Sequence, residues 1–190
     1  MNPDLQKLKE TLSCVSYSGD QHTDIKIKES DVLAQLKTLN IKAPNGDWFA
    51  FDPDKGRGKP ALMSPLLATG SSHQHHRACD AVIVVLKPEG LNLIFIDLKS
   101  SAPSGFAGQF QSTRQFTSYL LGLLKEFHSI SFKTVNERFI VFYTSKTNKV
   151  LLAKKPTILS FSKRSSSDPK AAQKELVHDG ATLYLKQLLA

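Results

Sequence analysis

Three ionisable residues lie at the ends of two neighbouring apolar segments. Asp80 directly precedes the run Ala81–Leu86, and Asp97 and Lys99 close the run that begins at Leu93. An ionised aspartate in such a run is costly to bury unless a partner compensates its charge. Two converging carboxylates repel each other, and a divalent cation such as Mg²⁺, which prefers oxygen ligands, removes that repulsion. A lysine beside the metal could orient or deprotonate a water molecule, or stabilise charge on a phosphate, which is chemistry suited to phosphodiester hydrolysis.

The two apolar segments are expected to form an antiparallel hairpin that brings these groups together. A turn centred between Glu89 and Gly90 predicts that paired residue numbers sum to 179, which places Asp80 opposite Lys99. Asp80 and Asp97 would then be diagonal neighbours on one face of the hairpin, about 7–8 Å apart at Cα. A slip of one residue in this register would place the carboxylates on opposite faces.

The surrounding pattern predicts an α/β domain with a mixed sheet flanked by helices. Apolar residues three and four apart predict helices over residues 4–12 and 30–39, the second with Ser30 as its N-cap, and the strongest helix over residues 109–127. Strands are predicted at 48–51, 81–86, 93–98 and 138–143, with weaker ones at 150–152 and 157–159. Because the hairpin strands are continuously apolar, both of their faces should be covered.

The chain is predicted to divide into a domain over residues 1–160 and a polar linker with a helical tail over residues 161–190. In that tail, Asp168 is expected to cap a helix that starts at Pro169 and is interrupted near Gly180. A long segment rich in Gly, Pro, Ser and His, residues 56–77, leads into Asp80 and is read as a loop.

The order of these residues resembles the PD-(D/E)xK nuclease superfamily, in which an Asp opens one strand and (D/E)-x-K closes the next. Asp80 and the segment Asp97–Lys99 match those positions. Gln115 and Tyr119, on the following helix, fit the Q-xxx-Y motif of RecB-type members. The resemblance covers about residues 75–145 and departs from the pattern in that no proline precedes Asp80.

The resemblance implies a restriction-endonuclease-like fold and a metal-dependent nuclease acting on DNA, as the cleavage subunit of a restriction or antiphage defence complex. Mg²⁺, with Mn²⁺ as a substitute, would be the cofactor. The implied catalytic residues are Asp80, Asp97, Lys99 and Gln115. The implied metal ligands are Asp80, Asp97 and an upstream glutamate, for which both Glu29 and Glu10 are available; Glu29 lies nearer the hairpin.

Basic side chains are concentrated in the last third of the chain. Of the formal net charge of +8, residues 1–124 contribute 13 basic and 12 acidic side chains, and residues 125–190 contribute 12 basic and 5 acidic ones. This asymmetry favours a polyanionic partner, with nucleic acid ahead of anionic lipid, although a solvated lysine-rich face is the alternative. The predicted nucleic-acid contacts are Lys146, Lys149, Lys154, Lys155, Lys163, Arg164, Tyr119 and His76.

Composition excludes several other classes. Two cysteines, Cys14 and Cys79, cannot form a disulfide framework or a four-cysteine zinc site. The chain has no apolar run long enough to span a membrane, and its N-terminus lacks the apolar core of a signal peptide, so a reduced, cytoplasmic protein without membrane contact is expected.

The competing hypothesis is a catalytically inactive module of the same fold that binds nucleic acid or a partner protein. The sequence leaves open DNA versus RNA, endo- versus exonuclease action, the specificity and homo-oligomerisation. The role of the histidine cluster His73, His75 and His76 is open as well.

Overall fold

A computed structural model describes residues 1–57, 61–70, 74–101, 103–144 and 167–190. The helices are α1 (Pro3–Glu10), α2 (Pro53–Gly56), α3 (Phe106–His128) and α4 (Leu185–Leu188), with a 3₁₀ turn at Pro169–Ala171. The strands are β1 (Val15–Ser18), β2 (Asp24–Lys28), β3 (Thr38–Lys42), β4 (Trp48–Phe51), β5 (Ala81–Lys87), β6 (Gly90–Lys99), β7 (Thr134–Tyr143), β8 (Gln173–Leu176) and β9 (Ala181–Tyr184).

The described strands form two sheets. The larger sheet has six strands in the order β1-β4-β5-β6-β7-β8, and the smaller has three in the order β2-β3-β9. In the larger sheet the pairs β1–β4, β4–β5 and β5–β6 are antiparallel, whereas the pairs β6–β7 and β7–β8 are parallel. Helix α3 makes the crossover between β6 and β7. The predicted α/β class, with a mixed sheet flanked by helices, is confirmed.

Each face of the larger sheet is buried by a different partner. Helices α1 and α3 cover one face, where Phe95 and Phe139 stack with ring centroids 4.8 Å apart. The smaller sheet covers the other face through Ile25, Ile41 and Leu183. The prediction that both faces of the hairpin strands are covered is therefore confirmed, because alternate side chains enter separate cores.

The β5–β6 hairpin forms with a two-residue turn, at Pro88 and Glu89, that is centred one residue earlier than predicted. Ala81 pairs with Ile96 and Lys87 with Gly90, so paired numbers sum to 177 rather than 179. The turn can be this tight because Gly90 has a φ of +131°, a conformation that a side chain would oppose. A shift of two residues preserves the face of every side chain, and continuing the same register places Asp80 directly opposite Asp97.

The predicted helix over residues 30–39 is wrong, and Ser30 does not cap one. Residues 38–42 form β3, whose buried Leu39 and Ile41 pair with Ile27 and Ile25 of β2. The apolar residues read as a helical stripe are thus alternating strand positions plus an irregular connection. The two other predicted helices and the four principal strands are confirmed, α3 being longer than expected at both ends.

The helical tail predicted beyond residue 160 differs from the structure of residues 167–190, where the helical parts are a 3₁₀ turn before two strands and α4 after them. Asp168 caps Pro169 as expected, its side chain accepting from Lys170 N, but only a 3₁₀ turn follows. Strand β8 then extends the larger sheet, and β9 extends the smaller one. Val177, which follows β8, and Leu183 of β9 are buried in the core between the two sheets. The weaker strands predicted at 150–152 and 157–159 lie outside the described residues.

Candidate active site

The hairpin brings Asp80, Asp97 and Lys99 together on the face of the large sheet that α3 covers. Asp97 is fully buried, and its Oδ2 lies 2.7 Å from Lys99 Nζ in an ion pair. Across the hairpin, Asp80 Oδ2 accepts a hydrogen bond from the backbone N–H of Leu98. The predicted common direction of the three side chains agrees with this geometry, since residues 97 and 99 share a face of β6.

Burial disfavours the charged form of both carboxylates. The pKa of Asp80 is raised well above its usual range, first by desolvation and then by the neighbouring Asp97 carboxylate. Desolvation also raises the pKa of Asp97, while the positive charge of Lys99 opposes that rise. The effect is not mutual, because the Asp80 side chain, when protonated, donates to the Asp97 carboxylate and lowers its pKa. A shared proton or a bound cation would each stabilise such a pair.

A glutamine that the sequence analysis did not select completes the contacts of Lys99. Gln109 Oε1 accepts a hydrogen bond from Lys99 Nζ at 2.9 Å, and Gln109 Nε2 donates to the carbonyl of Ala78 at 3.0 Å. Gln109 therefore links the end of β6 to the segment that enters β5. The signal that could have found it is helix phase, because position 109 lies three residues after Phe106 and four before Thr113, both of which are buried.

Two hydroxyl groups on the same helix hold the segment that leads to Asp80. Thr113 Oγ1 accepts from the backbone N–H of Cys79 at 3.1 Å, and Ser112 Oγ donates to the carbonyl of His75 at 2.5 Å. These bonds satisfy backbone groups that would otherwise be buried without partners, which is costly. Helix α3 thus positions both strand ends of the candidate site.

Glu29, rather than Glu10, lies beside these residues. A cleft of about 550 Å³, here called the site cleft, is lined by Glu29, Asp80, Lys99 and Gln109 among others. Glu29 follows the last residue of β2, and its negative charge contributes to the raised pKa of Asp80. Glu10 is on α1, where it accepts a hydrogen bond from Gln6, and it does not line this cleft.

The long loop before β5 contributes the opposite wall of the site cleft. Arg57 forms an ion pair with Asp54 and donates to the backbone carbonyl of His76, and all three residues line the cleft. The ring of His76 contacts Met63 N and the carbonyl of Ala68, so this predicted nucleic-acid contact is held by the loop at the cleft. His75 packs against it edge-on, with ring centroids 4.4 Å apart. His73 lies outside the described residues.

The structure does not bring Gln115 and Tyr119 to the site cleft. Both are exposed on the outer side of α3, Tyr119 at 62%, and they line a separate groove of about 830 Å³ against residues 63–67. The Q-xxx-Y spacing places the two side chains near each other on α3. They lie on the side opposite the buried residues of the helix, which face the sheet. The six basic residues predicted to contact phosphates between positions 146 and 164 lie outside the described residues.

The donor set suits a hard divalent cation, although the described residues contain no group of three or more His, Cys, Asp or Glu side chains arranged to hold a metal. The observation that fits a cation concerns Asp97, whose buried Oδ1 has no hydrogen-bond partner among the described residues. A buried acceptor without a donor is costly, and Mg²⁺ takes such oxygens while retaining several waters. Asp80 and Asp97 could therefore hold the ion, and Glu29 lines the adjoining cleft.

Comparison of the chain with known protein families, curated proteins and solved structures finds no match in any of the three. Among the described residues, none of the helices is long and apolar enough to cross a membrane.

Proposed function

We propose that the chain is a metal-dependent nuclease that hydrolyses DNA phosphodiester bonds at the Asp80–Asp97–Lys99 site. The observation that carries the proposal is the buried Asp97 with its unpartnered Oδ1, facing Asp80 and ion-paired to Lys99 at the wall of an open cleft. A purely structural ion pair would be expected to satisfy its buried oxygens.

The order of elements supports the resemblance to PD-(D/E)xK nucleases that the motif suggests. A helix precedes the antiparallel hairpin, the paired acidic residues lie at its open end, and a second helix follows. The proposal also includes the restriction-endonuclease-like fold, a cytoplasmic location and action within a larger complex that supplies specificity.

In the proposed reaction, Asp80 and Asp97 would hold the cation, with Glu29 at the adjoining cleft. Bound Mg²⁺ would supply charge stabilisation for the phosphate and a water of lowered pKa. Lys99 lies where its ammonium group can orient the attacking water or stabilise the developing negative charge. Gln109, which accepts a hydrogen bond from Lys99, holds that ammonium group in place and is a positioning residue.

A second candidate is a binding module that does not cleave. It is favoured by the same Lys99–Asp97 ion pair, which already neutralises one of the two carboxylates without a metal. In that case Lys99 would be a structural counter-ion, and nucleic acid or a partner protein would bind elsewhere on the chain.

Cleavage and metal binding separate the two candidates. Linear, circular and single-stranded DNA are incubated with the protein in Mg²⁺, in Mn²⁺ and in EDTA, and Mg²⁺ binding is measured by calorimetry. We expect Asp97→Asn and Lys99→Ala each to reduce metal-dependent cleavage by about 100-fold or more. Asp97→Asn should also weaken Mg²⁺ binding, whereas the exposed control Glu126→Gln should change neither.

The proposal fails if the wild type cleaves none of these substrates with either metal, or if all the variants cleave equally. DNA binding without Mg²⁺ binding and without cleavage would instead support the binding module.

A further inference from the structure

A second groove joins the site cleft, and its walls are strand edges rather than loops. This strand groove, of about 720 Å³, lies between β1 and β2, which are edge strands of their respective sheets. Tyr17 of β1 bridges its walls by donating from its hydroxyl to the carbonyl of Lys26 at 3.2 Å. Glu29, Asp54 and Asp80 line both the strand groove and the site cleft, so the two are continuous.

Two lysines of β2 line the strand groove without a counter-ion. Lys26 and Lys28 are both exposed, and neither forms a salt bridge with any residue that the structure describes. They share a face because they are two residues apart on a strand, which separates their Cα atoms by about 7 Å. Lys42, on the adjacent strand, differs in that it pairs with Asp24 at 2.5 Å. Two neighbouring positive charges left uncompensated favour an anionic partner with repeated charges.

Side chains of both signs line the continuous grooves: Asp52 and Lys55 line the strand groove, and Arg57, Arg77 and Lys99 line the site cleft. The end shared with the site cleft carries the acidic side chains Glu29, Asp54 and Asp80, and β2 contributes the two lysines. A cation would be attracted to the acidic side chains at the shared end, and phosphates would be attracted to the lysines of β2. Because Glu29 directly follows Lys28, a phosphate-bearing strand on β2 would lead to the proposed metal ligands.

From this arrangement we infer that Lys26 and Lys28 bind successive backbone phosphates of a DNA strand whose scissile phosphate lies at Asp80 and Asp97. The inference rests on the proposed nuclease function and assigns a path for its substrate. Such contacts give affinity and register but carry no sequence information. The strand groove would therefore hold DNA regardless of sequence, separately from the basic segment between residues 146 and 164.

The experiment measures DNA binding under conditions in which cleavage cannot occur. Fluorescence anisotropy of a short fluorescein-labelled DNA duplex is recorded in EDTA between about 50 and 200 mM salt. The variants are the double substitution Lys26→Ala/Lys28→Ala, its charge-retaining counterpart Lys26→Arg/Lys28→Arg, and the paired lysine control Lys42→Ala.

We expect the double alanine variant to reduce the slope of log affinity against log salt by about 1.8, since each lost phosphate contact removes about 0.9. Near 0.1 M salt, that change corresponds to weaker binding on the order of tenfold per lysine. The arginine variant should restore the slope, and Lys42→Ala should leave it unchanged. In Mg²⁺, the alanine variant should raise KM more than it lowers kcat.

The outcomes separate this inference from the proposed function. If the wild type cleaves DNA and the double alanine variant binds with an unchanged slope, the path is wrong and the nuclease stands. If the wild type never cleaves but the slope still falls, the phosphate contacts stand and the nuclease fails. Equal loss in Lys42→Ala would show a general charge effect and overturn the inference. The inference would also be overturned if the slope were unchanged and an extended peptide bound along the edge of β2, because the edge of a sheet can also accept a peptide strand.

Discussion

The two sides of helix α3 carry similar polar residues but place them in different surroundings. On the side facing the large sheet, Gln109 bridges Lys99 and the carbonyl of Ala78. On the outer side, Gln115 is exposed in a groove of largely apolar lining. The two glutamines are six residues, or about one and two-thirds turns, apart, so they point in different directions. The phase of the helix, and not the identity of the residue, decides which glutamine meets the candidate site.

The largest expected difference between the two sides is in stability. Phe110 is fully buried against Phe106 and Phe139, whereas Tyr119, on the outer side of the same helix, is 62% exposed. Phe110→Ala should lower the free energy of unfolding by about 3–5 kcal/mol because it leaves a cavity. Tyr119→Ala should stay within about 0.5 kcal/mol. Urea denaturation followed by circular dichroism measures both. Equal losses would mean that the outer side of α3 is also covered, and the comparison would no longer hold.

How much of the molecule could be predicted depended on how local its determinants are. The hairpin, α3 and the shared face of Asp97 and Lys99 follow from apolar runs and periodicity within a few residues. Strand β3 depends on partners elsewhere: Asp179, 142 residues away in sequence, accepts a hydrogen bond from the backbone of Lys37. A window around residues 30–39 contains no trace of that pairing, so its leucines matched a helix equally well.

The residues of the candidate site also differ in how far local sequence predicts them. Asp80, Asp97 and Lys99 could be found because charges inside apolar strands are rare and need an explanation. Gln109 was missed because glutamine is ordinary in a helix, and only the register of buried residues distinguishes position 109 from position 115. A motif matched by spacing alone selects Gln115, although it is Gln109 that contacts Lys99.

The second prediction tests this distinction on activity. Gln109→Ala removes a hydrogen bond to a charged group, which is worth about 1.5–3 kcal/mol, so kcat for DNA cleavage should fall by about 10- to 100-fold. Gln115→Ala should leave kcat and KM near wild type. Steady-state cleavage in Mg²⁺ measures both variants, with Asp97→Asn as the inactive reference. A large loss in Gln115→Ala with none in Gln109→Ala would reverse the assignment and support the role that the Q-xxx-Y resemblance implies.

The smallest expected contrast concerns two hydroxyls on α3. Thr113 is fully buried and accepts from the N–H of Cys79, whereas Ser118 is exposed and donates to the carbonyl of Arg114 in its own helix. Thr113→Val keeps the shape of the side chain but leaves a buried N–H without an acceptor, at a cost of about 1–3 kcal/mol. Thr113→Ser should recover part of that loss, because it keeps the acceptor and removes only a methyl group. Ser118→Ala should change the free energy of unfolding by less than about 0.5 kcal/mol.

Thermal and urea unfolding compare these three variants, and amide hydrogen exchange at Cys79 reports directly on the bond. Faster exchange at Cys79 in Thr113→Val, with normal exchange in Ser118→Ala, is expected. Because Asp80 follows Cys79 in sequence, loosening this segment should also weaken Mg²⁺ binding if Asp80 is a ligand. Unchanged exchange at Cys79 in Thr113→Val would show that the bond to Thr113 does not position Asp80, and would leave Gln109 and Ser112 as the contacts of α3 with the site.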